Sequence, residues 1–509
     1  MAPSLNTFIY KVLTKKHGLT LKADALKYLL EVVEESGAVS QDEVTKTLDY
    51  IAQSYFQQQG DEKLIVDRDA LQEVVESFFR KANVNAVFAR EDGEDGMDVD
   101  EDGMDGGRGT SVAVGDVSEY FHVIDAFEVP RWKYRPHEKI FVKKLTPIKS
   151  LHGRKPGNYV LLGMLTQMEE GKFHLEDPDD FVELDLTKQN IDKGHGIFTF
   201  NCFVVAQGVY TEDKRFRVDT LGMPVPERRE KSLLAFGHNV NFFGGTYEAD
   251  EEALLTKIEL GMTDVSIIII SDVWLDSPKV LMKLRELFEG FSNAVHPLAF
   301  LFLGSFSSQP YLYNTSDHAQ YKEGFNTLAD LLSDFPTLQE QCHFIFVPGP
   351  NDPWAANILP RPGIPKYFTS RFRNKVPKAH FVSNPCRIKY CTQEIVVFRE
   401  DLAHKMRRNA VVSPKENDSA SQHMHLVATL LDQAYLSPLP LNVQPVYWAH
   451  DHALRLYPSP HLLILADKYE AYNVEYEGTQ CINPGSFPNT EYGFMVYAPA
   501  GKIVQASQV

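Results

Sequence analysis

The chain has 509 residues, 43% hydrophobic and 24% charged, with a formal charge of −18. At the usual domain size this length makes about three units, enough for a large buried core. No apolar run reaches the ~20 residues of a membrane span, and Met1 to Gly18 lacks the continuous apolar stretch and small-residue cleavage site of a secretion signal, so neither a membrane span nor secretion is expected. The acidic balance opposes long-range attraction to phosphate backbones, whose affinity comes mainly from neutralisation by Lys and Arg, so autonomous DNA binding is not expected either.

Residues 1–82 carry helical periodicity, in Ala23, Leu26, Leu29, Leu30 and Val33, then Val44, Leu48 and Ile51, then Leu71, Val74, Val75 and Phe78. Ser40 ahead of Glu43 fits a capping box. The pattern predicts a small helical bundle, and any such bundle would look the same, so it names no function. Glu91 to Asp105 is almost wholly Glu, Asp and Gly. Such a composition cannot bury enough apolar surface to offset its conformational entropy, which predicts a disordered acidic linker over 83–118.

A connector over 119–157 contains a short helix or extended stretch through Phe121 to Tyr134. Five β-rich segments follow within 158–235: Tyr159 to Gln167, Lys172 to Asp177, Val182 to Leu186, Phe203 to Tyr210 and Phe216 to Leu221. Their turns predict a small Greek-key barrel of the oligonucleotide/oligosaccharide-binding (OB) type. Over 236–509 the pattern changes to short apolar strands separated by helical chain. Val265 to Ser271 precedes Asp272, Leu298 to Leu303 precedes Gly304, Phe344 to Val347 precedes Gly349, and Leu462 to Leu465 precedes Asp467. The whole reads as a multidomain α+β protein whose last domain is α/β, with any ligand site at the carboxyl ends of its strands.

A two-metal phosphoesterase needs carboxylates, imidazoles and an amide converging there, usually as Asp-x-His, Gly-Asp, Gly-Asn-His-Asp and Gly-His-x-His. This chain reads Asp272-Val273-Trp274, with an indole in place of a ligating imidazole, and Gly304-Ser305, with a hydroxyl in place of a bridging carboxylate. It continues with Gly349-Pro350-Asn351-Asp352, which loses both amide and imidazole, and Ala466-Asp467-Lys468-Tyr469, which has no histidine. The surviving carboxylates cannot fill the coordination of two divalent ions. No metal, no other cofactor and no catalytic residue is expected, and Asp272 and Asp352 are expected to cap a helix or accept from loop amides. His450-Asp451-His452 and the pair His423 and His425 are spaced by two, not four, and read as surface or packing histidines. Gly244-Gly245 lacks the Gly-Lys-Ser/Thr of a P-loop. Five cysteines with no CxxC spacing read as reduced structural thiols.

The degenerate strand ends, together with Ser271-Asp272-Val273-Trp274-Leu275-Asp276, Val347-Pro348-Gly349-Pro350, Ser383-Asn384-Pro385-Cys386-Arg387-Ile388, Cys391-Thr392-Gln393-Glu394-Ile395, Pro445-Val446-Tyr447-Trp448-Ala449 and Ile482-Asn483-Pro484-Gly485-Ser486-Phe487, resemble the B subunits of replicative DNA polymerases, and within them the epsilon branch. The resemblance covers most of residues 120–490. It implies an inactive calcineurin-like phosphoesterase domain joined to the barrel and bound to the cysteine-rich carboxyl-terminal region of the catalytic polymerase subunit, in a complex that also holds small histone-fold subunits. For the amino-terminal bundle it implies contact with the GINS part of the replicative helicase. It also implies a nuclear location, DNA met mainly indirectly, and no membrane. The connector between Trp132 and Tyr159 is shorter than the family pattern leads one to expect.

Two other functions compete. A divergent metal-dependent phosphodiesterase or nuclease would use Asp272, Asp352 and His450. A single-strand-binding barrel would need stacking aromatics and a basic groove, yet its strands carry acids such as Glu183 and Asp185 beside their lysines.

Overall fold

The structure is a computed structural model. It describes residues 121–127, 145–187, 192–193, 196–236, 249–353, 357–412 and 421–509, with a few positions before them: Thr14, Thr20–Lys22, Ala25, Ile65 and Val66. The predicted bundle over 1–82, those few positions apart, the acidic linker over 83–118 and Gly244-Gly245 lie outside the described residues. The chain divides into two compact units, Met1–Thr110 and Ser111–Val509. In the first, Thr20–Leu21 runs parallel to Ile65–Val66.

The second unit opens with β1 (Phe121–Asp125), followed by the barrel strands β2 (Gly157–Thr166), β3 (Phe173–Glu176) and β4 (Phe181–Asp185). The short β5 (Phe198–Thr199) precedes two longer barrel strands, β6 (Phe203–Tyr210) and β7 (Arg215–Gly222). The order β4-β3-β2-β6-β7 is closed by a parallel pairing of β4 with β7, which removes the open edges. Alternation along the strands sends Leu161, Leu165, Leu175, Val182, Leu184, Val204, Ala206, Phe216 and Val218 into the interior. Gly208 lets β6 and β7 close at an irregular register, since a Cβ there would lie 2.1 Å from the Arg217 carbonyl oxygen. The five strands fall on the five segments expected from sequence.

The α/β part is built from two six-stranded sheets. Its strands are β8 (Ile267–Ser271), β9 (Ala299–Leu303), β10 (His343–Val347), β11 (Ala379–Phe381), β12 (Cys386–Tyr390), β13 (Gln393–Arg399), the short β14 (Ala410–Val412), β15 (Leu462–Ala466), β16 (Tyr472–Tyr476), β17 (Thr479–Asn483), β18 (Gly493–Ala498) and β19 (Ile503–Gln508). The first sheet runs β11-β10-β9-β8-β18-β19 and the second β16-β17-β15-β13-β12-β1. The stretch through Phe121 is therefore extended, and instead of merely connecting domains it lies antiparallel to β12 as an outer strand of the second sheet.

The sheets face each other across a core of Ile267, Ile269, Leu301, Leu303, Ile345 and Val347 from one and Ile388, Ile395, Val397, Leu462, Ile464 and Ile482 from the other. Ile268, Ile270, Phe300, Phe302, Phe344 and Phe346 face the opposite way, into a cluster with residues of α1 (Pro278–Ser292), α2 (Thr315–Leu332) and α3 (Lys366–Lys375). Val396, Phe398, Leu463 and Leu465 pack with residues of α4 (Leu402–Arg408) and α5 (Gln422–Asp432). Burial on both faces explains why these strands read as continuous apolar runs.

The barrel is fastened to this sandwich through buried polar contacts. β5 pairs with β14, Ile197 N donates to Thr429 Oγ1 at 2.8 Å, and Gly196 N donates to His425 Nδ1 at 3.1 Å. Gln433 grips the Phe203 backbone with both ends of its amide, accepting at Oε1 (2.6 Å) and donating from Nε2 (2.7 Å).

Candidate functional site

The carboxyl ends of β8, β9, β10, β13 and β15 meet in one place. Asp272 follows β8 with a positive φ of 59°, a conformation uncommon for a residue with a Cβ and frequent at functional sites. Its N–H donates to the Leu303 carbonyl (2.9 Å), and its Oδ1 accepts from Ser305 N (2.9 Å). Gly304 and Gly349 let β9 and β10 close on each other, because a Cβ on Gly304 would lie 2.1 Å from Asp352 Oδ2 and 2.3 Å from Gly349 N.

Asp352 is completely buried. Its Oδ1 accepts from Phe306 N (2.8 Å) and the Tyr321 hydroxyl (3.0 Å), and its Oδ2 from Gly349 N (2.6 Å). Burial pushes its carboxyl up to about 6, against the pull of those donors and of Arg399. Asn351 N donates to Ser305 Oγ at 3.3 Å. Asp467 accepts from Ala403 N at 3.0 Å and Tyr469 N at 3.2 Å, and burial raises its carboxyl too. The expected roles of Asp272 and Asp352 as acceptors for loop amides are therefore what the structure shows.

The centre of the cluster is held by Arg399, the last residue of β13, which sequence reasoning missed. Its guanidinium is buried and reaches four strand ends. Nη2 meets Asp272 Oδ1 at 2.7 Å, Nη1 meets Asp401 Oδ1 at 2.9 Å and the Ala466 carbonyl at 3.4 Å, and Nε donates to the Gly304 carbonyl at 2.5 Å. Burial alone would lower the Arg399 pKa, but the two carboxylates hold it well above the usual value, so the group stays a cation. Lys468 adds a second positive charge, 3.2 Å from Asp401 Oδ2. A neighbouring buried pair, Arg361 with Glu400, is joined by Lys405 Nζ at 2.9 Å from Glu400. A signal was present in the sequence, for Arg399-Glu400-Asp401 closes an apolar strand just as Asp272 does.

The residues do not fit a pair of divalent ions. Asp272 and Asp401 already face a guanidinium, while Asp352 is held by two backbone amides and the Tyr321 hydroxyl, and Asp467 by two backbone amides. Among the described residues no three His, Cys, Asp or Glu side chains converge as metal ligands. Trp274 leans on the apolar core beneath α1, and Tyr469 is 37% exposed with its hydroxyl 3.4 Å from Arg407 Nη1. Three of the histidines singled out in the sequence pack against neighbours: His450 sits edge-on to Phe127 at 4.6 Å, His423 stacks on Tyr472 at 4.9 Å, and His425 serves the barrel contact above. Asp451 is engaged by the Tyr435 hydroxyl (2.6 Å) and Arg455 (2.8 Å).

The family of the chain follows from comparison with known proteins. A family model for the B subunits of DNA polymerases alpha and epsilon matches residues 267–474, the span that supplies the strand ends. A second, for the OB-fold domain of DNA polymerase epsilon subunit 2-like proteins, matches 121–225. Human DNA polymerase epsilon subunit 2 is 43% identical over 392 residues, 76% of this chain and 73% of its own. The chain belongs to the family of DNA polymerase epsilon B subunits. Two further members are those of Arabidopsis thaliana, 40% identical over 72% of this chain and 69% of its own, and of Schizosaccharomyces pombe, 33% identical over 72% and 73%. Among solved structures, an archaeal phosphodiesterase overlaps 48% of the chain at 10% identity with a TM-score of 0.25. Among the described residues no helix is long and apolar enough to cross a membrane.

Proposed function

We propose that the chain is a noncatalytic accessory and scaffold subunit of DNA polymerase epsilon in the nucleus. In this reading it binds the cysteine-rich carboxyl-terminal region of the catalytic subunit, within a complex that includes small histone-fold subunits. Through residues 1–82 it links the polymerase to the GINS part of the replicative helicase, with the acidic segment over 83–118 as tether. The calcineurin-like domain carries partners instead of chemistry. The observation that supports inactivity is Arg399, whose permanent charge lies between Asp272 and Asp401 where a phosphoesterase would need cations with open coordination positions.

Direct DNA binding by the barrel finds little support in its charges. Arg215 faces Glu183 at 3.9 Å and Asp213 at 3.6 Å, so this cation is matched by acids on the same strands and turn. The test is co-expression of the chain with the carboxyl-terminal region of an epsilon catalytic subunit, followed by metal analysis and a phosphodiester hydrolysis assay with added manganese. A stoichiometric pair without bound metal or hydrolysis is the expected result. Failure to associate, with manganese-dependent hydrolysis lost in Asp352→Asn, would replace this reading by the enzyme.

A further inference from the structure

Between the loop that follows β9 and the start of α2 lies a cavity of about 190 Å³. Small-molecule sites begin at about 300 Å³, so this space suits a single long side chain better than a cofactor. Leu275, Phe306, Tyr311 and Tyr321 wall it, and Asp276 and Asp317 also line it. Among the described residues none of those lining it is Lys, Arg or His.

The two carboxylates are half-buried and are held by neutral donors. Asp276 accepts from Ser308 N at 3.0 Å and from Ser308 Oγ at 2.6 Å, and Asp317 Oδ2 accepts from Leu312 N at 2.9 Å. Among the described residues neither meets a cation, whereas Asp330, farther along α2, takes both Arg371 and Lys375. Two half-buried negative charges on one apolar-walled space attract a cation more strongly than they would in open water.

The aromatic wall is fixed in advance. Tyr311 N donates to the Asn351 carbonyl at 3.0 Å, the Tyr311 hydroxyl meets His318 Nδ1 at 2.6 Å, and the Tyr321 hydroxyl donates to Asp352 at 3.0 Å. An occupant therefore need not order these rings. Leu312, which also lines the cavity, is 71% exposed, and beside it Tyr313, 55% exposed, stands edge-on to Tyr311 at 5.0 Å. Such an apolar lip excludes water around a central anchor.

We propose that this cavity receives one arginine side chain, presented by an extended segment of another protein. A guanidinium is planar, stacks on aromatic rings and meets carboxylates in a fixed fork, and its aliphatic stem packs on apolar walls. A lysine supplies the charge without the flat face, and an acidic side chain is repelled.

The test is a ligand-observed NMR titration of the full chain with the peptide acetyl-Ala-Arg-Ala-amide and with its citrulline and lysine counterparts. Citrulline keeps the shape of arginine and lacks the charge, so the arginine peptide should bind about tenfold more tightly. Gln320 lines the cavity from α2 and is exposed. Gln320→Lys should weaken the arginine peptide about threefold and Gln320→Glu should strengthen it by about as much, the size of a partly exposed charge pair. Both variants keep good helix formers, so their melting should match the parent. Gln309→Lys, in the loop before α2, repeats the repulsion outside the helix. Opposite shifts for lysine and glutamate at position 320, with citrulline binding unmoved, support the inference. No preference for arginine over citrulline overturns it, as does a lysine peptide that binds equally well. Guanosine bound in place of the arginine peptide assigns the cavity to a nucleobase and overturns it too.

Discussion

The guanidinium of Arg399 and the carboxylate of Asp272 meet 2.7 Å apart with both side chains buried, at the ends of strands from opposite sheets. The pair ties β13 to β8 across the sandwich and, through Asp401 and the Gly304 and Ala466 carbonyls, gathers the strand ends that a metal centre would otherwise hold.

Removing one partner of such a pair leaves a buried charge without compensation. Arg399→Met should lower unfolding free energy by about 3–5 kcal/mol. Adding Asp272→Asn removes one of the stranded carboxylates, so the double variant should recover part of that loss. Denaturant melts of parent, both single variants and the double variant measure the coupling, and strict additivity would show that the pair does not act as a unit.

Sequence reasoning reached the barrel and the strand ends more easily than what fills the site. Tyr159 to Gln167 and Phe203 to Tyr210 could be placed because their side chains alternate between one interior and solvent. The runs ending at Ser271 and Leu303 could be recognised because strands buried on both faces are apolar throughout. Arg399 was hidden because an arginine after an apolar strand is ordinarily solvent-facing, and only the fold brings Asp272, 127 positions away, against it. Phe121 to Asp125 was illegible for a related reason, as its partner β12 lies far along the chain and five residues carry too little pattern to tell a strand from a helix.

Asp352 supplies a pH signature. Its carboxyl lies at about 6 in the folded chain, against ~3.9 when unfolded. Between these values the native state binds more protons, so the stability contributed by protonating Asp352 is fully present below about pH 4 and lost as pH rises through about 6. The unfolding free energy of the parent relative to Asp352→Asn should therefore fall by about 2 kcal/mol between pH 4 and pH 7. A difference that stays flat across this window would mean that Asp352 is not shifted.

The Gln433 clamp can be separated from general packing. Gln433→Ala leaves the Phe203 N–H and C=O without their partners, at a cost of about 1–3 kcal/mol. Gln433→Glu keeps the shape but turns an acceptor toward the Phe203 carbonyl, which Nε2 now serves as donor. The glutamate variant should therefore be the less stable of the two, and exchange at residues 196–203 should quicken in both. A glutamate variant as stable as the parent, with only the alanine variant destabilised, would show that the clamp contributes volume alone.

The five cysteines, Cys202, Cys342, Cys386, Cys391 and Cys481, form no disulfide and are buried. Burial raises all five thiols, Cys342 and Cys391 to about 12, so the reactive thiolate is scarce at neutral pH and attacking reagents have no access. A thiol-specific disulfide reagent at about pH 8 should label none of them in the folded chain and all five in denaturant. In the native state the labelling rate should follow unfolding and level off as reagent concentration increases. Rapid labelling of even one thiol, first order in reagent, would mean that its part of the α/β sandwich or barrel opens without global unfolding.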